Sequence, residues 1–112
     1  EWEYAARGGA NGSDTTYAGS DNLNDVGWFE INSGGHIHHG GDRVPNELGI
    51  YDMSGNVKEW VNTSYPFNGG DQRLTLGGSW YQSAQYAQVN SWNWHYPSWT
   101  FHNLGFRVVK TK

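Results

Sequence analysis

The chain has 112 residues and a net charge of −4, and only 16% of them are charged, against about a quarter in ordinary domains. That length holds one domain or a piece of one, and with no Lys/Arg cluster a phosphate-tracking nucleic-acid surface is excluded. Cysteine is absent, which excludes disulfides and thiolate chemistry, no apolar run approaches the roughly 20 residues of a membrane span, and no signal peptide is visible.

Sixteen glycines beside seven Trp, seven Tyr and four Phe predict a loop-rich fold around a small aromatic core, since disordered chains lack such rings. EWEYAAR predicts a short helix of good helix formers, ended at Gly8-Gly9. It reads as the end of a helix, so further sequence is expected upstream. Residues 8–49 show no periodicity and predict ordered loop. A loop of that length in a compact domain needs a fastener, either a bound ion or the rings of Trp28 and Phe29.

Asn56 to Val61 alternates, with Val57, Glu59 and Val61 on one face and Asn56, Lys58 and Trp60 on the other, which predicts a strand. Asn68-Gly69-Gly70-Asp71 reads as a turn and Arg73 to Leu76 as the partner strand. Gly77-Gly78 permits close backbone approach before Ser79-Trp80. Leu104 to Val109 reads as a closing strand. No internal repeat is present, and the sum is an α+β fold of short antiparallel strands and long ordered loops.

Three stretches carry candidate chemistry. GIYDMSGNVKEW, residues 49–60, places Asp52 and Glu59 around a Ser-Gly-Asn turn. It is either a turn capped by the Asp side chain or a turn folded around a hard, oxygen-seeking cation. GGHIHHGGD, residues 34–42, gathers His36, His38, His39 and Asp42 in one glycine-rich loop. It is either a site for Zn, Ni or Cu(II) or a polar loop with one imidazole packed under a ring.

The third stretch, YQSAQYAQVNSWNWHYPSWTFHN, residues 81–103, has no acid, Arg or Lys. Rigid amphipathic rings among short hydrogen-bonding groups are the make-up of adaptable binding surfaces. Tyr81, Tyr86, Asn93, Trp94, His95, Tyr96, Trp99, Phe101 and His102 are the candidate ligand-binding residues. Rings such as Trp80, Trp92 and Trp99 are also candidates for the core, but the segment holds more rings than a small fold can bury.

EWEYAARGG, PNELGIYDMSGNVKEW, LGGSW and LGFRVV, in this order, resemble the formylglycine-generating enzyme family, or sulfatase-modifying-factor domain. The resemblance covers essentially the whole chain and aligns it with the C-terminal part of such a domain, residues 1–112. It implies a C-type-lectin-like fold, completed by an N-terminal half or a partner chain. It also implies a structural calcium ion held by the Asp52 and Glu59 carboxylates and the carbonyls of Gly55 and Val57, and at least one histidine of residues 36–39 serving the fold. The family enzymes oxidise a cysteine with copper held by two cysteines. Gln82 and Ala87 stand at the matching positions, so no copper is expected and the known reaction is expected to be lost. Lys58 departs from the Trp more usual there, which predicts a more solvated face.

Between GGSW and GFR-V the chain also resembles the variable proteins of diversity-generating retroelements. Tyr81, Tyr86, Asn93, His95, Tyr96, Phe101 and His102 fit adenine-directed variation of Asn codons, whereas Trp94 does not. The resulting expectation is a non-catalytic domain that recognises a protein or glycan through residues 81–103, on a phage particle, a cell surface or outside the cell. An oxidative enzyme or enzyme part of the same family, and a structural assembly component, are the alternatives.

Overall fold

The structure, a computed structural model, describes residues 1–67, 70–96, 98 and 101–108, without the side chains of 64–67, 70 and 71. The expected turn at Asn68-Gly69, Trp99 and Val109 lie outside the described residues. Helix α1 spans Trp2–Ala6, and helix α2 spans Leu23–Val26. Strands β1 (Lys58–Phe67), β2 (Gly70–Leu76), β3 (Trp92–His95) and β4 (Leu104–Gly105) form one sheet in the order β3-β2-β1-β4.

α1 follows from its sequence. Trp2 and Ala6 bury one face at i, i+4 spacing, Arg7 bonds Glu3 at 2.9 Å on the outside, and Gly8 leaves the helix at φ 93°. Trp2, Ala6, Ala18, Met53, Leu76 and Val89 form one core cluster, and Leu23, Val26, Phe29 and Ala87 form a second.

The long loop is fastened by short polar side chains as well as by rings. Asn46 accepts from the N–H groups of Leu48 and Ile50 and donates to Ala5 O at 2.6 Å. Ser54 accepts from Ala18 N at 3.0 Å and donates to Ala87 O at 2.8 Å, which links the two clusters. Phe29 is buried in the second cluster, as the fastener reading required, while Trp28 packs against His38 and Arg43.

Three strand expectations change. β1 starts at Lys58 rather than Asn56, because Asn56 sits at φ 65° and clamps His38 through both side-chain atoms at 3.0 Å. β4 stops at Gly105 and pairs with β1 in parallel, Lys58 with Leu104 and Glu59 with Gly105, so the sheet is not wholly antiparallel. β3 is a strand inside the stretch read only as a binding segment, paired antiparallel to β2.

Directly opposed residues share a sheet face. Glu59, Leu76 and Trp92 are therefore on one face, and Trp60, Thr75 and Asn93 on the other. Leu74 and Leu76 pack on the first core cluster, so the face bearing Lys58, Trp60, Asn93 and His95 is the outer one.

Candidate ligand-binding face

Two groups of rings are joined in sequence at Phe101 and His102. Trp80, Tyr81 and His102 form a triangle, with centroids 5.2 Å apart for Trp80–Tyr81, 5.6 Å for Trp80–His102 and 5.8 Å for Tyr81–His102. Backbone geometry sets their base. Gly78, at φ 68°, lies so close to Ala87 that a Cβ would meet its backbone at 2.8 Å. Trp80 N then donates to Asn56 O at 2.7 Å, and Ser33 Oγ to Trp80 O at 2.7 Å. Asn103, 1% exposed, joins both strand and turn: its amide donates to Ser79 Oγ at 3.0 Å, and its carbonyl accepts from Lys58 N at 2.9 Å. The Trp80 indole N–H is buried and has no partner among the described residues.

The second group centres on Lys58. Its amine lies 3.2 Å from His95 Nε2 and 5.2 Å from the centroid of Phe101. His95 meets Phe101 at 5.2 Å and the edge of Trp60 at 6.2 Å. Lys58 is only 7% exposed, which corrects the solvated face expected there: the rings of His95 and Phe101 lie against it. Burial lowers the Lys58 pKa, and burial followed by the charge of Lys58 lowers that of His95.

The nine expected residues divide. Tyr81 and His102 fall in the first group, His95 and Phe101 in the second, and Asn93 is on the same sheet face as His95. Trp94 opposes Leu74 and so belongs to the opposite face. Tyr96 directly follows β3, and Tyr86 sits on the 3-10 turn Ala84–Ala87, 38% exposed and outside both groups. Trp99 lies outside the described residues. Lys58 and Trp60 were missed, because the alternation of β1 placed them on one face without saying what packs there. Of the two former copper positions, Gln82 accepts from Ser79 Oγ at 2.9 Å and Ala87 fills the second core cluster.

The acids of the 49–60 turn point into a separate cleft of about 600 Å³. Glu59, 3% exposed, receives Trp2 Nε1 at 3.3 Å on Oε2 and is gripped by Arg107 through Nε and Nη2. Arg107 also donates to the carbonyls of Tyr51 at 3.0 Å and Asp52 at 3.2 Å. Asp52 accepts from Gly41 N at 2.8 Å, while its other oxygen is buried and without a partner among the described residues. Burial raises the pKa of both carboxyls, outweighing the Gly41 bond at Asp52 and Arg107 at Glu59. Gly55 packs its backbone against Trp28, and Val57 touches the position of Gly105. Of the four expected calcium ligands, Asp52, Val57 and Glu59 line this cleft; Glu59 shares its oxygens with Arg107, while Asp52 keeps a buried oxygen that a cation could use.

The histidine loop stacks instead of splaying. His38 lies flat on Trp28, centroids 3.6 Å apart at 8°, with His36 on His38 at 4.3 Å and Arg43 over Trp28 at 3.7 Å. His38 Nε2 meets Ser33 O at 2.5 Å, so this imidazole is built into the fold. Among the described residues no group of three or more His, Cys, Asp or Glu is placed to hold a metal, and no helix is long and apolar enough to cross a membrane. A wider apolar cleft of about 1250 Å³ opens by Trp2, Met53, Val61 and Phe106.

Comparison with known proteins agrees with this geometry. The model of the sulfatase-modifying factor enzyme 1-like domain matches residues 1–112. The chain is 35% identical to chaperone protein LppX of Paenibacillus barcinonensis, covering 100% of this chain and 47% of that protein. It is 31% identical to the inactive C-alpha-formylglycine-generating enzyme 2 of Mus musculus, covering 99% and 41%. The solved Treponema denticola variable protein 1 superposes with a TM-score of 0.81 at 33% identity, over 95% of this chain and 43% of that one. The chain thus spans less than half the length of these relatives, and its fold is theirs: α+β, of the formylglycine-generating, C-type-lectin-like kind. A family model matched from first residue to last, with relatives above 30% identity, makes the chain a member of the sulfatase-modifying factor enzyme 1-like family.

Proposed function

We propose that this is a non-catalytic binding domain whose ligand, a protein or a glycan, docks on the Trp80–Tyr81–His102 triangle and the neighbouring Phe101. One observation carries the reading. Three rings meet within 6 Å of one another, with Tyr81 49% and Phe101 38% exposed, on a base held by the buried Asn103. Rings fixed in place offer large contact area at little entropic cost. The missing copper thiolates and the likeness to a relative named inactive support the absence of the family reaction.

A glycan array and a displayed peptide library, probed with the wild type and with a Tyr81→Ala/His102→Ala double variant, test this. The expected result is selective binding lost in the variant at an unchanged melting temperature, because both side chains are at the surface. Binding that survives in the folded variant would remove the face from consideration.

The likeness to a variable protein supports a narrower version, in which retroelement diversification changes this face. A reverse transcriptase gene beside a near-copy of the region coding for residues 77–109 is the expected genomic sign, and its absence refutes that version. For the partner that completes the fold, the proposed seat is the apolar cleft by Trp2 and Met53, where Phe106 and Val108 are 75% and 84% exposed. Footprinting of Phe106 in a longer protein checks this, and undiminished reactivity there would refute it.

A further inference from the structure

We propose that Lys58 and His95 form the anion-receiving point of the binding face, and that the ligand presents a carboxylate beside a ring or other apolar group. The inference rests on the reading of this face as a binding surface and names the chemistry it selects.

Lys58 is 7% exposed, yet no carboxylate lies within ion-pairing distance of it among the described residues. Its side-chain amine meets a histidine nitrogen at 3.2 Å and the Phe101 ring at 5.2 Å. A buried ammonium is costly unless it is paired, and an amine offers three donors. The flanking segment 81–103 has no acid to supply the counter-charge. A carboxylate brought by a ligand would supply it, and would also offset the charge of Lys58 that, after burial, lowers the His95 pKa. A single ammonium suits a singly charged carboxylate better than a phosphate dianion, which draws on several cationic donors. Phe101, Trp60 and the imidazole edge supply the apolar frame.

Phenylacetate and phenylacetamide share size and shape but differ in charge and in one donor group, and make a matched pair of probes. Phenylacetate is expected to bind at least about tenfold more tightly, a difference of about 1.4 kcal/mol, and to shift the His95 ring resonances. Lys58→Met, similar in length and without the charge, is expected to erase the preference. Equal affinities in the wild type, a preference that persists in Lys58→Met, or no phenylacetate binding at about 10 mM would overturn the proposal. The wild-type comparison decides the matter even if the variant fails to fold. Glucuronate and N-acetylglutamate then separate a sugar source of the carboxylate from a peptide one. Equal affinities refute the charge selection alone, whereas the Tyr81/His102 variant tests the face itself.

Discussion

Glu59 and Arg107, 48 positions apart, form the ion pair with the least exposed carboxylate among the described residues, and the guanidinium reaches past it to the carbonyls of Tyr51 and Asp52. Arg107, just after β4, thus sets a positive charge beside the carboxylate to which the family resemblance assigned a calcium ion. A planar donor fork matches a carboxylate and two carbonyls, where calcium would want six to eight oxygens.

Arg107→Gln leaves Glu59 buried without its cation, and a loss of about 3 kcal/mol is expected from denaturant unfolding. We further propose that the vacated oxygens then accept calcium. The melting temperature of the variant should rise with added calcium and fall with chelator, while the wild type stays indifferent. A wild type that is destabilised by chelation would show that calcium, not Arg107, holds the turn.

Asn103 links the two ring groups, its side-chain amide donating to Ser79 Oγ and its backbone carbonyl accepting from Lys58 N; only the first bond is lost in Asn103→Ala. Asn103→Ala should cost roughly 1–3 kcal/mol, the penalty for a lost buried amide. It should also weaken ligand binding although Asn103 itself is only 1% exposed. Binding unchanged in a destabilised variant would show that the rings hold their places without it.

Gly55 has φ 88°, and a Cβ there would lie 2.5 Å from Trp28 O and 2.8 Å from Trp28 N. Gly55→Ala is therefore expected to destabilise by roughly 2–4 kcal/mol. Gly35 shares the left-handed backbone, φ 83°, but has nothing within 4 Å of a Cβ. Gly35→Ala isolates the backbone contribution, expected at about 1 kcal/mol. Thermal melts of the pair check the difference, and similar losses would mean that Trp28 yields to the methyl group.

His95 gives a pH dependence whose sign can be worked out. Burial and Lys58 lower its folded pKa from the ordinary 6.5, with Arg73 directly across the strand pair adding no negative charge. The unfolded chain therefore binds the proton more readily. Stability present above the ordinary value is lost as pH falls through the lower folded value. Denaturant midpoints measured from about pH 7.5 to 5.5 should decline, and His95→Asn should flatten the decline. An unaltered slope in the variant would assign it to another group.

Much of the frame was legible in the sequence because it is written in short-range signals. Gly8 ends α1, the alternation of residues 57–61 separates Glu59 from Lys58, and the ordered blocks identify the family. The parts that were not legible depend on distant partners. Nothing local says that Asn46 will cap the turn before Ile50 and bond α1 as well, or that Lys58 will be covered by rings from residues 95 and 101. W-N-W-H does alternate in strand fashion, but its rings invited a reading as ligand contacts, and only pairing with β2 assigns Trp94 and His95 to opposite faces.

The parallel pairing of β4 with β1 has a consequence for synthesis. Trp2 and Glu59 emerge from the ribosome long before Leu104, Gly105 and Arg107, and a parallel pair cannot close through a tight turn. Until that last segment arrives, the Glu59 carboxylate has only an indole for company and one edge of β1 stays open. The domain is thus expected to finish folding only once residues 104–107 have left the ribosome, with its earlier nascent form exposed to chaperones and to mispairing at that edge.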